Sequence, residues 1–317
     1  MTVRFGRREV NNFQNIRYTE KDNMNSKAEQ DYWTASAQSF KWQVKSRTVQ
    51  VSDQDITEIP LGFQPFGISS LGDRVLITDY FAPAVCMNRV TVDGNTLRFE
   101  VAWIHGAQNG ITRCRGGFPD MAYPSGANRC CTAFFGPDCK SVCIGRLDRE
   151  FFLLVPEDSA QWHLAARISL PECRDFPFIH SAALNQRLNL LLTVESDAAM
   201  NKWRLAPYMW HEGWVTHSPK FELLEQHGIP RFHYGIAYLR GEPVTVASSH
   251  SVRGPNRTDP GIYIDCKLVV PGIVGSGICI LPNGGALVAA YGQEEEGAHK
   301  GNPGKLIYVP PALLQYE

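Results

Sequence analysis

Three histidines, His180, His233 and His250, and two carboxylates, Glu195 and Asp79, are the side chains of this 317-residue chain whose types and settings could support acid–base or metal chemistry. Imidazole titrates near neutral pH and ligates divalent ions through a neutral ring nitrogen, so a histidine beside a carboxylate can move a proton or hold a metal. His180 and His233 each lie in an apolar run, FIHSAAL and FHYGIAY, while Glu195 follows LNLLLTV and Asp79 closes RVLITD. Burial at the end of such a strand would raise the Glu195 carboxyl into a range useful for proton transfer. Gln64, Phe66, Tyr80, Phe134 and Tyr291 stand at comparable places and would pack or orient a small polar or carbohydrate-like substrate. The same three histidines with Glu195 are the candidate ligands for a divalent metal. Each group also has a plain structural reading: a hydrogen-bonded core histidine, or an aspartate accepting bonds from a neighbouring turn.

Bulk composition narrows the chemistry around these residues. Lys+Arg 31 against Asp+Glu 32 leaves a net charge of −1 with no basic stripe, so nucleic acid is not an expected partner. No Gly-rich phosphate loop, dinucleotide fingerprint, G-x-S-x-G elbow or H-E-x-x-H motif occurs, and no nucleotide cofactor is expected. Neither a secretory leader nor an apolar run of about eighteen residues is visible, which points to a cytoplasmic protein without a membrane span. Nine cysteines cannot all pair within one chain, and reduced thiols are the default without export. Cys114, Cys130, Cys131, Cys139 and Cys143 crowd together without the second closely spaced pair of a zinc finger, while Cys131, Cys143 and Cys279 read as small apolar residues in strands.

Residues so far apart can meet only if the fold gathers them, and a repeat supplies the means. PFGISSLGDRVLITDYFAP from Pro65 aligns without a gap to PDMAYPSGANRCCTAFFGP from Pro119, and looser copies begin at Phe178, Phe232 and Val274. Each copy reads as a strand, a tight turn and a second strand. Third-strand candidates follow at Val85 to Val92, Lys140 to Leu147, Lys202 to Tyr208, Gly261 to Cys266 and Gly304 to Val309. Copies recur every roughly 40 to 60 residues, close to the length of one propeller blade. The expectation is an all-β protein forming a single β-propeller. Five blades are favoured, with a sixth only if Phe151 to Glu172 is a degenerate blade rather than a long outer hairpin. The alternating stretch Thr48 to Ile59 is expected to close the ring as the outermost strand of the last blade. Residues 1–38, polar and poor in apolar side chains, form an N-terminal arm before the propeller at 39–317.

The pattern P-x-G-I-x-x-x-G-x-L-x-V-x-D/Y in these copies resembles the blades of NHL-repeat and gluconolactonase-like propellers. That resemblance implies a ligand site at the central channel, and in gluconolactonase-like members a divalent metal held by an early Glu and later Asn and Asp. Here Gln64-Pro65 and Phe118-Pro119 stand where the acidic start would fall. Inner strands begin, and second strands end, on one face of such a disc. That rim would collect Gln64, Phe66, Asp120, His180, His233 and Ser276 with Asp79, Tyr80, Phe134, Glu195, Asp197, His250 and Tyr291. The expected function is a lyase, isomerase or hydrolase working on a small molecule at one asymmetric channel site. The alternative is a non-catalytic propeller binding a glycan or a protein partner.

Overall fold

The computed structural model describes residues 45–61, 63–79, 84–106, 114–115, 130–146, 149–156, 162–210, 221–223, 227–229, 233–247, 259–290 and 304–315. The described chain opens with β1 (Arg47–Gln50) and β2 (Thr57–Pro60). The first blade adds β3 (Pro65–Leu71), β4 (Arg74–Asp79), β5 (Ala84–Asp93) and β6 (Thr96–Gly106). The second holds β7 (Cys114–Arg115), β8 (Cys130–Phe135), β9 (Val142–Arg146), β10 (Glu150–Pro156) and β11 (Trp162–Ser169). The third holds β12 (Phe178–Asn185), β13 (Leu190–Ser196), β14 (Trp203–Trp210), β15 (Phe221–Leu223) and β16 (His227–Ile229). The fourth holds β17 (His233–Leu239), β18 (Glu242–Ala247), β19 (Gly261–Ile264) and β20 (Lys267–Pro271), and the fifth β21 (Gly277–Ile280), β22 (Ala286–Ala290) and β23 (Lys305–Val309). No α-helix, and so no helix long and apolar enough to cross a membrane, occurs among the described residues.

The inner strands β3, β8, β12, β17 and β21 pack in that cyclic order, with β21 returning to β3, so the five sheets form a closed five-bladed β-propeller. Apolar side chains follow the ring. Five separate layers fill the five gaps between blades, for example Leu76 and Val85 against Ala133 and Ile144, or Val244 and Ile262 against Ile278 and Val288. Because each sheet is covered on both faces, strands such as β13, β19 and β22 read as continuous rather than alternating apolar runs. The stretch Phe151 to Glu172 supplies the outer hairpin β10–β11 of the second blade, not a sixth blade.

Closure is made by β2, which pairs antiparallel with β23 as the outermost strand of the fifth blade. The expected single strand from Thr48 to Ile59 is therefore two. β1 pairs with β6 of the first blade, and the chain crosses between blades through a turn in which Ser52 Oγ accepts the Gln54 and Asp55 amides. Polar turn formers at Ser52 to Asp55 break the strand because their side chains satisfy the backbone locally.

The second blade corrects the repeat alignment. Cys130–Phe135 is the inner strand, packed between β3 and β12, and Val142–Arg146 is the second strand rather than the third. Three of the five identities in the ungapped match to the Pro65 copy are Gly or Pro at chain reversals, which recur at every turn and do not distinguish a first strand from a second. The stretch expected as that inner strand, Pro119 to Ser125, lies outside the described residues.

At the axis the inner strands approach backbone to backbone. A Cβ on Gly235 would sit 2.6 Å from the Gly277 Cα, and one on Gly277 would sit 2.6 Å from the Phe66 carbonyl oxygen. Ser276 Oγ donates to that carbonyl at 2.8 Å, Ser70 Oγ to the Ile280 carbonyl, and Ser69 Oγ to the Ala133 carbonyl at 2.6 Å. Short hydroxyls thus stitch neighbouring inner strands where no ladder joins them. We expect Gly277→Ala to cost about 1–3 kcal/mol, as overpacking of a closed core does, read as a lower urea midpoint with an unchanged m-value.

Candidate functional site

Four of the inner strands carry a register shift near their start, at Pro65/Ile68, Cys130/Thr132, Ile179/Ser181 and His233/Gly235. An extra residue re-aims the side chains there. Phe66, His180 and Tyr234 occupy three of these irregularities, and Tyr234 meets each of the other two. The His180 and Tyr234 rings are 5.0 Å apart edge to face, and Phe66 and Tyr234 are 6.1 Å apart. Blades one and four are not neighbours, so the Phe66–Tyr234 contact spans the axis.

His180 is 2% exposed, stacks on Trp203 at 4.3 Å and shares a 2.8 Å hydrogen bond between Nε2 and Ser196 Oγ. His233 is 1% exposed, its Nδ1 2.8 Å from Thr245 Oγ1 and its ring tilted over Tyr263. Its Nε2 is buried with no hydrogen-bond partner. Both histidines lie in the gap between the third and fourth blades. Burial pushes the His180 imidazole down to about 3 and that of His233 down to about 4, so both rings are neutral near pH 7.

Glu195 faces the other way, into the gap between the second and third blades, because successive residues of β13 point to opposite faces. It is 0% exposed. Arg204, its cross-strand partner, donates from Nε at 2.9 Å and Nη2 at 2.5 Å to Oε2. Oε1 accepts from Tyr208 Oη at 2.8 Å and Thr193 Oγ1 at 3.0 Å, and lies 3.1 Å from Arg149 Nη1 of the second blade. Arg149 also donates to the Pro171 and Phe176 carbonyls and to Tyr208 Oη. Burial alone would lower the Arg149 pKa, but the Glu195 charge more than offsets it and the guanidinium ends above its ordinary value. Burial first, and then the Glu195 charge, raises the Tyr208 phenol. This is a buried tie between two blades, one carboxylate held by two guanidiniums. The sequence reading missed Arg149, Arg204 and Tyr208. Arg204 was within reach from the β13–β14 hairpin register, whereas Arg149 was not.

Asp79 ends β4 on the side that carries Val75 and Ile77, toward the fifth blade. Asp79 and Glu195 therefore stand in separate inter-blade gaps. Gln64 precedes β3, half-buried. Phe134 lies on the inner strand of its blade instead of ending a second strand, and packs edge to face on Phe151 at 5.5 Å. Asp197 Oδ1 accepts the Asn201 and Lys202 amides in the β13–β14 turn. Tyr80, Asp120, His250 and Tyr291 lie outside the described residues. Among the described residues no group of three His, Cys, Asp or Glu is placed to hold a metal ion, and Gln64 supplies no carboxylate, so these residues do not fit the divalent site that the gluconolactonase resemblance implies. The buried thiols of Cys86 and Cys279 are pushed up to about 12 by burial and behave as apolar filling, as Cys143 does by position.

At the opposite end of the inner strands lies a cavity of about 280 Å³. Its walls are residues 69–72, 134–135, 183–186, 236–238 and 278–280, so every blade contributes its inner strand. Among the described residues no charged side chain lines it. Small polar residues at strand ends, Ser69-Ser70 and Asn185-Gln186, were the sequence signal for it. The proposed rim and this cavity are thus on different faces of the disc.

Fold and cavity together define the class: a five-bladed β-propeller with an axial pocket. No family model matches the chain, and no curated protein matches it. Among solved structures it is similar to a protein from Lactobacillus plantarum, with TM-score 0.37 and 13% identity over 68% of this chain and 57% of that one. It is similar to the WD40 repeats of RRP9, with TM-score 0.42 and 8% identity over 83% of this chain and 99% of that one. It is also similar to Kluyveromyces lactis Hsv2, with TM-score 0.29 and 8% identity over 51% and 46%. The chain spans little more than half the length of the Lactobacillus plantarum protein. Blade count and closure come from this molecule's own strand pairing.

Glu195→Ala leaves two guanidiniums facing an empty carboxylate site, and should destabilise by about 3–5 kcal/mol in equilibrium denaturation. The histidines set a pH dependence. Their folded pKa values lie below the ordinary 6.5 or so, so acid protonates the unfolded chain first. Stability is fully present above about pH 6.5 and falls toward pH 4, by about 1.4 kcal/mol per pH unit for each ring. His180→Gln should roughly halve the slope contributed by the pair, measured by denaturation at pH 7, 6 and 5.

Proposed function

We propose that this propeller acts by binding rather than catalysis, with the axial cavity as its ligand site. One observation carries the reading. Inside inter-blade gaps Glu195 is committed to two guanidiniums and His180 to Ser196 and Trp203, while the cavity is bordered by all five inner strands. A concave site at the axis, made of a different residue set in each blade, suits a single small molecule.

A second reading keeps the enzyme, a hydrolase, lyase or isomerase in keeping with the gluconolactonase-like pattern. His233 favours it, since a neutral imidazole oriented through Nδ1 with an unpartnered Nε2 is the form of a base awaiting a proton donor. His180, His250, Glu195 and Asp79 would be its companions, and Phe66, Tyr80, Phe134, Tyr291 and Gln64 its substrate contacts.

The two readings separate in one experiment. A thermal-shift screen of small molecules yields stabilising hits, and a ligand at 100 times its Kd adds about 2.7 kcal/mol. Under the binding reading, Gln186→Trp at the cavity wall abolishes the shift and the double variant His180→Gln/His233→Gln retains it. The opposite pattern, with turnover of a hit lost in the histidine variant, would overturn the binding reading.

A further inference from the structure

We infer that the axial cavity selects uncharged molecules with an apolar body and one hydrogen-bonding edge; this rests on the binding reading above and specifies its ligand. Leu71, Ile236, Ile278 and Ile280 and the methyls of Ala183 and Ala237 supply the apolar wall, and the polar share of the lining is nearly as large. Among the described residues no Asp, Glu, Lys, Arg or His lines the cavity, so an ion entering it would lose water without meeting a counter-charge from these walls, a transfer that proteins avoid.

The polar wall atoms set the orientation of the guest. Ser69 and Ser70 spend their hydroxyl protons on the Ala133 and Ile280 carbonyls, which leaves each oxygen with acceptor capacity. Gln186 uses one amide proton on the Phe135 carbonyl at 3.2 Å, and Asn185 accepts the Leu188 amide at its Oδ1. Each side-chain amide carries two N–H donors and two acceptor lone pairs, so both retain capacity. These side-chain polar groups come from the first and third blades, and the fourth adds Tyr238, whose hydroxyl is buried without a hydrogen-bond partner. A guest would therefore turn its polar edge toward β3, β12 and the Tyr238 hydroxyl. The volume corresponds to about nine waters at ~30 Å³ each, which is room for one ring with a short substituent.

Three molecules of nearly one shape test the inference: benzyl alcohol, benzoate and benzylamine, the last a cation at pH 7. Binding is followed by protein NMR at pH 7 with alanine methyls labelled, and by the same titration on Gln186→Trp. The expected result is that benzyl alcohol shifts the Ala183 and Ala237 methyls and is lost in Gln186→Trp, with either ion at least ten-fold weaker. Equal binding of an ion at the same methyls would overturn the selectivity while leaving the cavity as a binding site. Shifts confined to other methyls, or none with any of the three, would overturn the selectivity and the binding reading together. Should Gln186→Trp lower the thermal midpoint, Asn185→Ala serves in its place, with benzyl alcohol affinity expected to fall about five-fold.

Discussion

Each blade of this propeller is a small twisted sheet that cannot bury two faces by itself, and the ring exists because every sheet covers its neighbours. Five apolar layers depend on the ring being closed. Closure depends in turn on four residues, Thr57–Pro60, taken from before the first blade and added to the edge of the last. That pairing joins segments almost the whole chain apart, so the cooperativity of the core is inseparable from the most non-local contact in the fold. The side-chain bonds between inner strands have the same logic: Ser69, Ser70, Thr132 and Ser276 supply hydrogen bonds where adjacent blades touch without sharing a ladder.

The burial that stabilises the ring also decides what its polar groups can do. A carboxylate in an inter-blade gap must be compensated, and Glu195 is, by one arginine from its own sheet and one from the next. A histidine in such a gap is held neutral. These groups resemble catalytic equipment in sequence because acid–base sites and buried structural ties use the same side chains. What separates them is whether a cavity lies beside them. The axial cavity lies elsewhere, at the end of the inner strands, and is lined by serine, amide, aromatic and aliphatic groups.

Much of the architecture was legible without coordinates. Three later copies, from Phe178, Phe232 and Val274, gave their inner and second strands correctly, because tight turns such as Arg240-Gly241 and Asn283-Gly284-Gly285 punctuate apolar runs at a nearly constant spacing. The second blade was misread because most of its match came from Gly and Pro at turns, which do not set strand order. The closing stretch was half right: its alternation was visible, but not that Ser52 to Asp55 would satisfy its own backbone and send the two halves to different blades.

By itself, then, the sequence determined the blade unit, its repetition and the all-β class, since these follow from local periodicity and turn chemistry. Only the tertiary structure decided which way each polar side chain faces. Neighbouring positions on a strand point into different gaps, and a shift of one residue at a bulge reverses them, so His180 and Glu195, near in sequence, ended in separate layers. The tie from Arg149 to Glu195 and the axial cavity have the same origin. Both are assembled from segments that meet only after the ring has closed, and no local pattern encodes a contact whose two halves lie in different blades.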